Sequence, residues 1–326
     1  MRHALGTPWS RRAALSAADL LWFLIITILL IAVLLPSLSR ARELAKRAVC
    51  ASNLRSMGQG MHIYANDYKE WFPTHYFEAR EDDENVPPVH GVRWVGTMGT
   101  NDFLSIAERT SAKTSPTRSH PSRSLFLLIT YGLASPGSFV CPSSWDSEDT
   151  LHNYGPDASN DGQEERARPG LNRFDFAGYD RLSYGYQLPY GQRGKPRETL
   201  DLRMVIGADK GPFYARGGAG VAGTRTVHDR LSGMTPRKGT ADELIGAPRE
   251  TWRRYNSRNH GGEGQNVLYL DAHADFIRTP LNRALGFDNV YTIQSGFNQA
   301  GAASGTVPDA DTAIGPLANT DSFLVP

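Results

Sequence analysis

Between His260 and Asp275 the chain spaces four side chains of metal-binding type: His260, then Asp271, His273 and Asp275 at alternate positions. On an extended segment, alternation puts the last three on one face, and His260 joins them if the Gly261-Gly262 turn folds back. Carboxylate oxygens suit a hard divalent cation such as calcium, and imidazole suits a transition metal. The same residues also read as the solvent face of an amphipathic strand whose other face is Leu270, Ala272, Ala274 and Phe276. His260 then only braces the glycine turn, and no cofactor is implied. The cysteine inventory is Cys50 and Cys141, too few for a disulfide scaffold but enough for a single bridge outside the cytoplasm. The alternative is a pair of separate thiols packed as small apolar groups. The chain has no Gly-x-Ser-x-Gly elbow, no Walker loop and no His-Glu-x-x-His, and neither cysteine lies in a redox or nucleophile signature. These residues point to a protein that is not an enzyme.

The elements that must position this chemistry begin with an uncharged apolar run from Leu20 to Leu35, which with Leu15 and Leu38 approaches the roughly 20 residues that span hydrocarbon. Beyond it the chain keeps helix formers together and places Arg47, Cys50, Leu54, Met57, Met61, Tyr64 and Tyr68 at alternating steps of three and four. That stripe predicts one helix from Ala18 to Asp67 with a domain packed on its second half. Pro36 should kink it or melt a turn, and Pro73 bars its continuation. A short buried helix is predicted over 124–133, and strands over 182–188, 202–209, 266–273 and 274–279, where β-branched and aromatic residues lie between turn formers. Residues 78–122 and 152–180 read as loop, and 301–326, rich in Gly, Ala, Ser, Thr, Asp and Pro, as a weakly ordered tail.

The segment from Arg11 to Tyr68 resembles the type IV pilin and type II secretion pseudopilin superfamily, in particular large pseudopilin-like proteins. Such proteins carry a short basic leader, a small residue before a cut, a hydrophobic first mature residue, an acidic residue soon after, and a proline about twenty positions on. Aligning Pro36 with that proline makes Ala14 the residue before the cut and Leu15 the first mature residue, and places Asp19 at the acidic position. The superfamily usually has Gly, Phe and Glu where Ala14, Leu15 and Asp19 stand. The stretch Arg258–Pro280 is similar to the His-Gly-Gly, apolar strand, Asp-Gly-His signature of the same proteins, with ten residues between His260 and Asp271 and Ala272 in the glycine's place. The resemblance implies processing after Ala14 by a prepilin peptidase, methylation at Leu15, and assembly with other pilin-like subunits through the N-terminal helix, in which Asp19 and Pro36 take part.

The domain plan that follows has a leader over 1–14, a transmembrane helix over 15–38, its periplasmic extension over 39–69, a globular domain over 70–300 and the tail. The fold class is α+β, pilin-like, with the long helix packed on an antiparallel sheet. The expected setting is the bacterial inner membrane, single-pass, with the C-terminal domain periplasmic and membrane lipid around the anchor. Two other outcomes are open: a monomeric membrane-anchored binding or recognition protein that never polymerises, and a soluble domain released by signal cleavage near Arg42. Flanking charge opposes the periplasmic placement, since Arg40, Arg42, Lys46 and Arg47 outnumber Arg2, Arg11 and Arg12. A net charge of +1 over 326 residues argues against a nucleic-acid partner.

Overall fold

The structure is a computed structural model that describes residues 17–75, 93–94, 118–119, 121–153, 165–189, 196–212, 247–286, 288–294, 305–306 and 320–325. The chain divides into two compact units, Met1–Ala45 and Lys46–Pro326.

Helix α1, Ala17–Asp67, contributes to both units. In the first unit its side chains are almost all exposed, including Leu20 to Leu35, and the helix is long and apolar enough to cross a membrane once. It runs through Pro36 without a break, so the expected melted turn does not occur. Ser39 Oγ donates to the Pro36 carbonyl. The helix closes at Asp67, followed by Lys69 and Glu70 in the left-handed region, φ 54° and 67°. The turn is therefore complete before Pro73.

In the second unit Cys50, Leu54, Met57, Met61 and Ala65 of α1 join one core with Tyr184, Tyr186, Ile206, Leu268 and Leu270. This is the stripe that the spacing predicts, and each of its large apolar side chains contributes roughly 1.5–3 kcal/mol by leaving water. Beside it packs helix α2, Ser122–Thr130, whose Leu125, Phe126, Leu128 and Ile129 are buried.

The sheet comprises β1 Tyr184–Gln187, β2 Val205–Asp209, β3 Gln265–Tyr269, β4 Ala274–Ile277 and β5 Leu324–Val325, in the spatial order β5-β1-β2-β3-β4. Every neighbouring pair is antiparallel. β1, β2 and β4 lie within the predicted strands; β3 begins one residue earlier than predicted, at Gln265, and ends at Tyr269, so that 270–273 of the predicted strand form a turn. β5 lies outside them: where composition suggests a weakly ordered tail, residues 321–324 are buried and Leu324 pairs with Gln187. The apolar Phe323-Leu324 pair is what the edge of the sheet retains. Residues 301–304, 307–319 and most of 78–122 lie outside the described residues.

Register sets which side chains meet α1. Tyr184 opposes Asp209, Tyr186 opposes Gly207, Gly207 opposes Leu268, and Asn266 opposes Phe276. Residues directly opposite share a face, so Asp209 and Asn266 lie on the same face as the core residues Tyr184, Tyr186 and Leu268. Val267 and Asp275 oppose each other and take the other face.

A buried cysteine, histidine and carboxylate cluster as the candidate functional site

Cys50 comes from α1. Cys141 follows a 3-10 turn over Pro136–Phe139, and Val140 leads into it in extended conformation. The segment is held by Ser183 N donating to the Phe139 carbonyl at 2.8 Å and Asn53 Nδ2 donating to the Val140 carbonyl at 3.2 Å. Asp209 ends β2, the five-residue strand that is buried throughout. His260 stands in the short 3-10 segment Asn259–Gly262, where His260, Gly261 and Gly262 have φ of 58°, 67° and 73°. Three successive left-handed residues reverse the chain, and the conformation is ordinary for glycine and more often seen for histidine than for most residues. The reversal aims the imidazole inward instead of at solvent.

The four donor atoms lie within 4.8 Å of one another and all four residues are buried. The two sulfurs are 2.6 Å apart. His260 Nε2 is 3.6 Å from Cys141 Sγ and 3.5 Å from Asp209 Oδ2. Amides fill the gaps: Asn266 Nδ2 lies 3.1 Å from His260 Nε2 and 3.2 Å from Asp209 Oδ2, Asn266 N donates to the same oxygen at 2.7 Å, and Asn259 Nδ2 donates to Asp209 Oδ1 at 3.3 Å. Asn266 Nδ2 thus lies within hydrogen-bond reach of both the carboxylate and the imidazole.

Burial pushes the Asp209 carboxyl up from its ordinary value, against the opposing pull of His260 and the amide hydrogen bonds. The Cys141 thiol is pushed far above the usual range, first by its hydrogen bond with Cys50 and then by burial. A nucleophilic cysteine needs the opposite shift and an open approach. The cluster instead favours chemistry confined to its own atoms: two thiols able to join, or a set of four donors able to hold a soft cation.

The sequence-predicted metal set is not brought together. His260 is 1% exposed and its ring meets Phe276 edge-on at 6.0 Å between centroids. Asp271, His273 and Asp275 are exposed. Asp271 and His273 belong to the turn between β3 and β4 and not to a strand: Ala272 N donates to the Tyr269 carbonyl, Tyr269 N to the His273 carbonyl, and His273 Nδ1 pairs with Asp271 Oδ1. Asp275 is exposed and opposes Val267, on the other face of the sheet from Phe276, which opposes Asn266. His260 is thus gathered with Cys50, Cys141 and Asp209 and not with the three exposed residues, and Asp275, Ala274 and Phe276 alternate as an amphipathic strand does. Ala14 and Leu15 lie outside the described residues. Asp19 sits in the first turn of α1 and Pro36 inside it, and Cys50 and Cys141 do meet.

Asp209, Asn259 and Asn266 escape the sequence reading. Their signal was there in part: Asp209 closes an apolar strand, and a carboxylate at the end of a run that is otherwise buried demands partners. A second buried network adjoins the cluster, in which Lys210 Nζ lies 3.1 Å from Asp146 Oδ2 and Ser183 Oγ donates to the same oxygen. Backbone continuity from Asp209 to Lys210 couples the two.

Residues 39–201, half of the chain, match the family described as protein of unknown function (DUF1559). The chain belongs to that family. The matched span holds Cys50, Cys141 and the Tyr184–Gln187 strand, while Asp209 and His260 lie beyond it. No curated protein and no solved structure matches the chain. In this DUF1559 chain, then, the family region supplies both sulfurs, and the following region supplies the imidazole and the carboxylate that close the cluster.

Proposed function

We propose that this chain is a structural subunit, pilin-like in plan, that is anchored in a membrane by the apolar part of α1 and assembles with like chains through that segment. The observation that carries the reading is the division of labour along one helix: Leu20 to Leu35 is exposed and uncharged, whereas Cys50 to Ala65 forms the spine of a folded core. An exposed apolar helix of this length needs lipid or other helices around it. Asp19 adds to this reading, because a carboxylate in the first turn of the helix, at the edge of the apolar run, costs several kcal/mol within the membrane unless it is paired or drawn to the interface. The free amine of a neighbouring chain cut after Ala14 is its natural partner, and the second unit then faces the extracytoplasmic side.

The companion reading is a membrane-anchored recognition protein that stays monomeric, favoured by Ala14 and Asp19 standing where the pilin superfamily usually has Gly and Glu. Mass spectrometry of the membrane-extracted protein and crosslinking in the intact membrane separate the two. Assembly requires an N-terminus at Leu15 and a ladder of crosslinked multimers that Asp19→Ala diminishes without loss of membrane insertion. A single crosslinked species, equal in wild type and variant, overturns assembly, and a mature N-terminus near Arg42 overturns the anchor.

A further inference from the structure

We propose that Cys50 and Cys141 are joined in the native protein by a disulfide that staples the buried half of α1 to the segment after Phe139. The inference rests on the extracytoplasmic placement proposed above. Both residues are wholly buried, their sulfurs are in contact at 2.6 Å, and each is held by a rigid neighbour: Cys50 by the helix, Cys141 by hydrogen bonds from Asn53 and Ser183 to the two carbonyls before it. The bond therefore needs little movement of the backbone.

A soft cation is the competing occupant, and three features oppose it. Two thiolates on one zinc ion, with metal–sulfur bonds of about 2.3 Å at tetrahedral angles, stand about 3.7 Å apart, whereas these sulfurs touch. Asp209 already accepts three hydrogen bonds from Asn259 and Asn266. His260 Nε2 already has the Asn266 side-chain amide at 3.1 Å. The third and fourth ligands are thus engaged within the protein, and what remains is a pair of sulfurs.

In the reaction two S–H bonds break and one S–S bond forms. The two protons and two electrons pass to the disulfide of an extracytoplasmic thiol–disulfide oxidoreductase, which leaves as a dithiol. Exchange requires a thiolate with access to the oxidant, and the folded cluster offers neither, so the bond forms before α1 docks and is afterwards shielded. His260, Asp209 and the two asparagines then form the polar floor on which the finished bond rests.

The test is to denature membrane-extracted protein in excess iodoacetamide without reductant and map the peptides. The expected result is no label on either cysteine and a crosslinked peptide pair two hydrogens lighter than the sum of its thiol forms. In the same protein, Cys50→Ala, Cys141→Ala and the double substitution should each lower the melting temperature by a similar amount, about 10 °C, since one bond is lost in every case. Label on both cysteines overturns the proposal, and stoichiometric zinc accompanying that label identifies a metal site in its place. Protease added outside permeabilised cells reports the placement independently. Digestion of the domain with both thiols labelled rejects the bond and keeps the placement. A protected domain rejects the placement, and refolding with oxidised glutathione then shows whether the pair closes: failure to close overturns the geometry as well.

Discussion

Ala272 holds the left-handed position of the β3–β4 turn with φ 65°, a conformation that favours glycine. A side chain there costs about 1–2 kcal/mol, partly offset by its smaller backbone entropy in the unfolded chain. Ala272→Gly should therefore raise the unfolding free energy by about 0.5–1 kcal/mol in urea titration. A second residue-scale consequence concerns His75 and Asp175, which both face Arg123 in a buried network. Asp175, fully buried, accepts from Ser122 Oγ at 2.7 Å and Phe176 N at 2.8 Å, and Arg123 Nε lies 3.8 Å away. Burial is the leading cause that raises its pKa from 3.8 to about 6. His75 is lowered from 6.5 to about 3 by burial and then by the Arg123 charge. The signs are opposite. Asp175 stabilises the fold most below 3.8, and that contribution is lost as pH rises toward 6; the His75 contribution is full above 6.5 and is lost as pH falls toward 3. Between pH 4 and 6 the two slopes offset. His75→Gln should expose the carboxyl, so that stability falls by roughly 2–3 kcal/mol from pH 4 to pH 6, read as a falling denaturation midpoint. A midpoint that rises instead would place the dominant proton elsewhere.

At the scale of elements, α1 meets the sheet closely enough to need glycine in mid-helix. A Cβ on Gly58 would lie 2.8 Å from Leu268 Cδ1, 3.1 Å from Ala272 Cβ and 3.2 Å from Ala272 Cα. Helix propensity favours alanine by about 1 kcal/mol, but the turn backbone cannot yield as a flexible side chain can. Gly58→Ala should thus destabilise by a net 1–3 kcal/mol, measured by equilibrium unfolding; stabilisation would mean that the turn moves aside. The same helix face carries Arg47, whose guanidinium lies 4.3 Å from the Phe276 ring centroid and 3.1 Å from Glu263 Oε2. His62 bridges further along, with Nε2 donating to the Leu270 carbonyl at 2.8 Å and Nδ1 at 2.5 Å from Glu198. Polar anchors thus flank the apolar stripe and set the helix's axial position against the sheet.

For the whole molecule, the boundary at Lys46 separates an exposed apolar segment from a unit with its own core. A polypeptide spanning 46–326 should remain in the aqueous phase of a detergent partition and keep the near-ultraviolet circular dichroism of the full chain's aromatic core, while the full chain enters the detergent. Loss of the aromatic signal in the shorter chain would show that the segment before Lys46 is required for folding.

What the sequence determined by itself is whatever depends on near neighbours. The uncharged run of Leu20 to Leu35, the helical stripe from Cys50 to Tyr64, and strands built of alternating or β-branched residues all declare themselves within a dozen positions, because helix and strand periods are local. The meeting of Cys50 with Cys141 was legible only as a stripe residue and a docked segment that should both face inward. The tertiary structure decided the rest. It put Asp209 beside the sulfurs and His260 beside Cys141 across a separation of 119 positions, turned Asp271 and His273 out to solvent through a left-handed Ala272, and drew Phe323 and Leu324 back onto the sheet. Each of these depends on register and chain reversal, which follow from how the faces of distant elements fit and not from any short pattern of residue types.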